Sequence, residues 1–233
     1  MIYAIGDLHL GFSQGKTMDV FGPHWTHHPE KIKEDWLSKV QEDDLVLIAG
    51  DSSWAMTLED GLSDLNYLRE LPGNKLLIKG NHDYWWTSLS QIKKRTSNQK
   101  LFFLQNDCFV FKNINICGAR GWICPNESAF TENDQKIYQR EAQRLKMSLD
   151  AAEKSKPILV LMHFPPMNEQ LEESLYTKLL KEYEVQQVIY GHVHGEINFQ
   201  NAPNGRIGNI DYHLVSADYL NFKLTEISST GRN

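Results

Sequence analysis

The sequence predicts an α/β fold with an added β-rich part, on three observations. Short apolar, β-branched runs recur, and most stop at a glycine or a polar cluster. Amphipathic helical patterns lie between several of them. Two stretches, 101–118 and 207–227, lack long helical patterns and read as consecutive antiparallel strands.

In chain order, strands are expected at 2–5 before Gly6, 45–49 before Gly50, 76–79 before Gly80, 114–118, 158–162 before His163, and 188–190 before Gly191. Helices are expected at 30–40, 58–71, 84–96, 132–154 and 169–183. In the second of these, Leu58, Leu62, Leu65, Leu68 and Leu71 share one face, with Thr57 as N-cap and Pro72-Gly73 as the stop. The loop 11–29 exceeds the usual connection length, and such loops often work as lids. No Pro/Ser-rich linker divides the 233 residues, so a single domain is expected across 1–233.

Composition narrows the classes. Hydrophobic residues at 41% and charged residues at 23% fit a folded chain and oppose disorder or low complexity. The longest apolar runs, 45–49 and 157–162, fall far short of the ~18–20 residues of a membrane span. The N-terminus MIYAIGDLHL lacks a basic region and meets Asp7 too early for a signal peptide, so a cytoplasmic location is expected. Cys108, Cys117 and Cys124 form no C-x-x-C pair and are expected to be buried thiols. A formal charge of −6 opposes a broad phosphate-backbone footprint, so any anion must be attracted locally.

The chemistry sits where the strands end. These exits carry Asp7-Leu8-His9, Gly50-Asp51, Gly80-Asn81-His82-Asp83, His163, and Gly191-His192-Val193-His194. In open α/β sheets, ligands bind outside the carboxyl ends of strands, so scattered exits can converge. In D-x-H and H-x-H, alternate residues of an extended segment point the same way, so both members of a pair can face one site. Imidazole, carboxylate and amide oxygen suit manganese, iron, cobalt or zinc, and the lack of thiolate opposes a soft-metal site.

In order and spacing these residues resemble the calcineurin-like metallophosphoesterases, whose pattern runs D-x-H, G-D, G-N-H-[DE], H, G-H-x-H, here from residue 7 to 194. The resemblance implies a four-layer α-β-β-α sandwich of two mixed sheets with flanking helices. It implies one metal on Asp7, His9, Asp51 and His194 and another on Asp51, Asn81, His163 and His192, with Asp51 bridging. Two divalent ions are the implied cofactors, manganese first, with iron, cobalt, zinc or nickel as the others. Two such ions, two aspartates and a bridging hydroxide leave a charge of about +1 toward the substrate, enough to attract a phosphate. The implied reaction is in-line attack of that hydroxide on a phosphoester. His82 would protonate the leaving oxygen or stabilise the transition state, and Asp83 would orient His82 or its loop.

One departure is visible: many members read G-D-x-x-D, whereas this chain has Gly50-Asp51-Ser52-Ser53-Trp54. The His163-Phe164-Pro165-Pro166 form resembles the phosphodiesterase and small-molecule branch more than the protein-phosphatase branch. The expected substrate is a small-molecule phosphoester, monoester or diester, with nucleic acid disfavoured and no membrane partner. A nuclease of the same family and a metal-binding scaffold without turnover are the competing readings.

Four further residues are candidates for substrate contact. Arg120 follows a strand in the glycine-flanked run Gly118-Ala119-Arg120-Gly121-Trp122, and its guanidinium could grip a phosphate; the alternative is a surface ion pair. Trp54, Trp85 and Trp122 follow motif loops or strand exits and could line a pocket, or could pack helices on the sheet. His24, His27 and His28 are expected on the surface or in a lid, and His213 in a structural role. Lys93-Lys94-Arg95 reads as a solvated helix face.

Overall fold

Alternation along the strands sorts side chains into layers. In β1 (Ile2–Ile5), Ile2 and Ala4 enter one buried cluster while Tyr3 and Ile5 enter another. The same split holds in β2 (Leu45–Ile48), where Leu45 and Leu47 part from Val46 and Ile48. A period of two with both faces apolar is the signature of a sheet covered on both sides. The computed structural model describes residues 1–15, 17–96, 100–126 and 130–228.

The first sheet adds β3 (Asn74–Leu77), β4 (Leu101–Phe103) and β11 (Thr225–Glu226), in the order β11-β1-β2-β3-β4, with only β11 antiparallel to its neighbour. The second comprises β5 (Phe109–Phe111), β6 (Ile114–Ala119), β7 (Ile158–Met162), β8 (Gln187–Tyr190), β9 (Gly205–Ile207) and β10 (Ile210–Leu214). Its order is β5-β6-β7-β8-β10-β9, parallel through the middle and antiparallel at both edges. Leu47, Ile116, Leu161 and Ile189 fill the space between the sheets, and burying each contributes roughly 1.5–3 kcal/mol.

Helices cover the outer faces. Trp36 of α1 (His28–Lys39), Leu65 and Leu68 of α2 (Leu58–Glu70) and Ile92 of α3 (Leu89–Thr96) join the cluster on the first sheet. Leu145 of α4 (Glu132–Asp150) and Tyr176 and Leu180 of α5 (Leu175–Glu182) join that on the second. The result is the α-β-β-α sandwich of two mixed sheets. Thr57 caps α2 as expected, its side chain accepting the Asp60 N–H. Among the described residues no helix is long and apolar enough to cross a membrane.

Several expectations need correction. The stretch 101–118 is not one antiparallel run: β4 pairs parallel with β3 after the α3 crossover, and only β5 and β6 form a hairpin. The stretch 207–227 divides likewise, β9 and β10 pairing in the second sheet and β11 returning to the first. The helix expected from 84 starts at Leu89, because Trp85 and Trp86 are buried in a turn whose Trp86 N–H donates to the Asp83 carbonyl. The helix expected from 169 starts at Leu175, because Asn168 Oδ1 takes the Gln170 and Glu172 N–H groups and Ser174 with Thr177 forms a capping box. The helix expected to reach 154 stops at Asp150. Cys117 and Cys124 are buried thiols, but Cys108 is half-buried. In the 11–29 segment, of which Lys16 lies outside the described residues, two 3-10 turns (Asp19–Phe21 and Pro23–Trp25) form, and Met18 and Trp25 are buried.

Candidate metal centre

All seven expected ligand residues lie just beyond the carboxyl ends of parallel strands: Asp7 and His9 after β1, Asp51 after β2, Asn81 after β3, His163 after β7, His192 and His194 after β8. Four of them, Asp7, His9, Asp51 and His192, have left-handed φ values of 56°, 44°, 49° and 70°. A non-glycine residue held there costs about 1–3 kcal/mol, so the surroundings must over-determine it. They do: the Asp7 N–H donates to the Gly50 carbonyl and the His9 N–H to the Asp51 carbonyl, each at 2.9 Å. Two glycines permit the close approach, since a Cβ at Gly80 would run into Asp51 Oδ1 and one at Gly191 into Asp7 Oδ2.

Each aspartate spends one oxygen on a neighbouring backbone and presents the other to imidazoles. Asp7 Oδ2 accepts the His192 N–H at 2.9 Å, and its Oδ1 faces His194 Nε2 at 3.5 Å. Asp51 Oδ1 accepts the His82 N–H at 2.8 Å, and its Oδ2 faces His163 Nε2 at 3.5 Å and His9 Nε2 at 3.9 Å. Burial pushes the Asp51 carboxyl up to about 7. Burial opposes ionisation of Asp7 too, but the facing His194 ring outweighs it and holds that carboxyl well below the usual range.

The histidines divide by partner. Burial holds His9 and His192 down at about 3, so both rings are neutral and keep a lone pair to donate. Burial also opposes charge on His194, yet its Nδ1 lies 2.9 Å from Asp218 Oδ1, and Asp218 with Asp7 raises it to about 10. His163 Nδ1 lies 2.9 Å from the Ala49 carbonyl, which can only accept. The Nε2 of that ring lies 2.6 Å from Asn81 Oδ1, and His192 Nδ1 lies 3.0 Å from the same oxygen.

These contacts test whether a metal fits. Asp7 Oδ1 and His9 Nδ1 are buried without a hydrogen-bond partner. Unpartnered buried ligand atoms of this kind, ringed by further carboxylate and imidazole atoms, make a donor set that fits a cation. Carboxylate and imidazole atoms cluster as Asp7, His9 and His194, and as Asp7, Asp51 and His163. A model of the calcineurin-like phosphoesterase family matches residues 1–196. The chain belongs to that family.

Relatives agree with this assignment. An uncharacterized metallophosphoesterase of Helicobacter pylori (strain ATCC 700392 / 26695) is 27% identical over 176 residues, covering 72% of this chain and 42% of its own length. The chain thus spans about two-fifths of that relative. Gene 66 protein of Mycobacterium phage D29 is 25% identical over 206 residues, 88% of this chain and 84% of its own. Among solved structures, phosphopantetheinyl hydrolase from Mycobacterium tuberculosis aligns with a TM-score of 0.58 at 14% identity, covering 92% of this chain and 88% of that one. The protein TT1561 of Thermus thermophilus aligns at 0.53 and 13%, covering 84% and 82%. At these identities the structural likeness shows the fold.

The remaining candidates separate clearly. Asp83 is fully buried and does not touch the His82 ring; its Oδ1 accepts from the Ser52 N–H and hydroxyl, the Ser53 N–H and the Trp85 indole, and its Oδ2 from the Gly80 N–H. It ties the Asp51 loop to the Asn81 loop. Burial and the neighbouring His163 hold His82 below its ordinary value. Trp54 stacks on His9 at 4.8 Å and lies 4.8 Å from His82, lining a cavity of about 350 Å³ with Met18, Phe21, His24 and Trp25.

Trp85 and Trp122 are corrections: neither lines that cavity. Trp85 is wholly buried under α2, and Trp122 packs on Phe164 while its indole donates to Asp134. Arg120 is a correction too. Its guanidinium lies 3.3 Å from the buried Glu141 and over the Trp122 ring, because that carboxylate, shared with Arg140 and Arg144, needs counter-charge. His28 is buried rather than on the surface, its ring nitrogens 3.2 and 3.0 Å from the Trp25 and Leu8 carbonyls. A larger cavity, about 1370 Å³, lies near β9 and α5 and contains none of the motif residues.

Asp218 and Asp64 escaped the sequence reading. Asp218 follows β10, outside every motif, and its only cue is its place beyond a strand exit. Asp64, buried on α2, accepts from the Ser53 hydroxyl and the Phe12 N–H, so an apparently unremarkable helix position braces the loop after Asp51.

Proposed function

We propose that the chain is a dinuclear, metal-dependent hydrolase of small-molecule phosphoesters, with Asp51 shared between the ions. The observation that carries this reading is the position of Asp51 Oδ2 between His9 Nε2 and His163 Nε2. Asp7 also approaches His163, at 3.9 Å, but toward Nδ1, the nitrogen already committed to the Ala49 carbonyl. Asp7 belongs to both ligand clusters, yet of these two aspartates it is Asp51 that lies between nitrogens free to ligate on both sides. Asp7, His9, Asp51 and His194 would hold one ion, and Asp51, Asn81, His163 and His192 the other. The nitrogen and oxygen donors suit manganese first, and iron, cobalt, zinc or nickel otherwise.

When bound, two such ions supply Lewis acidity and lower the pKa of a water to near neutrality. The protein's own groups do the rest. Backbone N–H groups fix both aspartates before substrate arrives, which removes reorganisation from the reaction. Asp218 holds His194 by Nδ1 and leaves Nε2 toward Asp7. His82, kept neutral, offers a ring N–H to the leaving oxygen, while Trp54 and Trp25 exclude water from that side.

A hydrolysis screen of the manganese-reconstituted protein tests the reading, using bis-p-nitrophenyl phosphate, p-nitrophenyl phosphate, cyclic nucleotides and single-stranded DNA. Turnover is expected on one or more of the small esters and not on DNA. Silence on every ester with two ions bound would leave a scaffold without turnover, and preference for DNA would make the chain a nuclease.

A further inference from the structure

From the cavity beside the metal positions we infer that the substrate's organic group is uncharged and apolar, about the size of one ring. The inference rests on the reading as a phosphoester hydrolase and deepens it. The cavity opens directly on His9, Asp51, His82 and His194, so a phosphorus near those residues would project one ester arm into it. At about 350 Å³, part of it the space beside His9, Asp51, His192 and His194, it lies at the small end of ligand pockets and leaves room for a ring and a short linker.

Its chemistry is one-sided. Trp54, Trp25, Phe21 and Met18 form the wall, with two indoles presenting broad apolar surface near the imidazoles. Among the described residues that line it there is no lysine or arginine, and Asp51 and Asp218 add negative charge. A second phosphate or a carboxylate in that arm would meet no counter-ion except imidazole. One of the lining residues, Phe21, is 60% exposed, so the apolar wall continues to the surface.

Non-hydrolysable phosphonates test the inference on the metal-loaded chain, by competition against whichever p-nitrophenyl ester it cleaves and by quenching of tryptophan fluorescence. Ethylphosphonate, 2-phenylethylphosphonate, its 4-carboxy derivative and octylphosphonate share the same anionic head. Burying ~80 Å² of ring at ~25 cal/mol/Å² makes 2-phenylethylphosphonate roughly 30-fold tighter than ethylphosphonate. The carboxy derivative should lose most of that gain. Octylphosphonate tests the size: weaker binding than the phenylethyl compound is expected, and tighter binding would overturn the one-ring limit and point to a lipid chain. In Phe21→Ser and in Trp54→Leu the phenylethyl-over-ethyl ratio should fall several-fold, which a ratio within one variant reports even if its stability changes. Equal affinity for all four compounds in a chain that hydrolyses esters would overturn this inference and leave the hydrolase reading intact. Absence of metal-dependent hydrolysis altogether would overturn that reading instead, while fluorescence still reports whether the ring is preferred.

Discussion

Two carboxylates stand behind the metal positions without facing them, and they work in opposite ways. Asp83 lies on the first sheet's side, wholly buried, and accepts only neutral donors from Ser52, Ser53, Gly80 and Trp85. Asp218 lies on the second sheet's side and engages the His194 ring, with a longer contact from the Gly195 N–H at 3.4 Å. The first carboxylate builds two loops, and the second sets one ring. The difference teaches that the half of the site carrying Asp51 and Asn81 is fixed by folding itself, whereas His194 is held locally and can be loosened alone.

The largest effect should come from Asp83→Ala. It strands donors that water can reach only by opening the loops, so unfolding titrations should show a loss of about 3–5 kcal/mol, and both ions should bind more weakly. A variant with native stability and full metal content would end the comparison on its first term. His82→Ala comes next and sharpens it. Because Asp83 holds the loop and not the His82 ring, this variant should keep its ions and lose turnover by roughly 10²–10⁴-fold. If His82→Ala and Asp83→Ala instead lose metal together, the two residues act as one unit.

Asp218→Asn should be milder, weakening one ion by about 10–100-fold and leaving the other. Its pH signature in the metal-free chain has a definite sign. The His194 value is raised to about 10 in the fold, so the stabilisation by Asp218 is fully present below about 6.5 and is lost as pH rises through about 10. The stability gap between the parent chain and Asp218→Asn should therefore shrink across that window, and a gap that widens there would contradict the assignment. Arg120→Ala should matter least. Glu141 keeps Arg140 and Arg144, so a cost of about 1 kcal/mol is expected with nearly unchanged turnover of a minimal ester. A hundredfold kinetic loss would return Arg120 to the substrate.

What was legible in the sequence follows the same division. Asp7, His9, Asp51, Asn81, His163, His192 and His194 could be singled out because strand exits are local features, although Asp7, His9 and His192 take left-handed φ and not the extended backbone that alternation in D-x-H and H-x-H assumes. The layering came from the resemblance, because strands apolar on both faces, such as β1 and β2, show no alternation in sequence that would sort their side chains into layers. Asp83 could be marked as auxiliary but not given its partners, because Ser52 and Ser53 reach it across 31 and 30 positions of sequence. Asp218 carried no motif, only its place beyond a strand exit, as its partner lies 24 residues away in another strand exit. Trp54, Trp85 and Trp122 looked alike in sequence, and only packing separates an indole on His9 from one under Gly61 or one on Phe164. Arg120 misled because its glycine-flanked exit is real, while the buried Glu141 that claims it sits on α4.

The claim that Asp51 joins both halves is tested most directly by elemental analysis of three manganese-loaded variants after dialysis. Asp51→Asn should retain neither ion, because the lost charge belongs to both sets. His9→Ala and Asp7→Asn should each retain one, since they touch a single set. Two tightly held ions in Asp51→Asn, or loss of both in Asp7→Asn with one kept in Asp51→Asn, would contradict the assignment and make Asp7 the shared ligand.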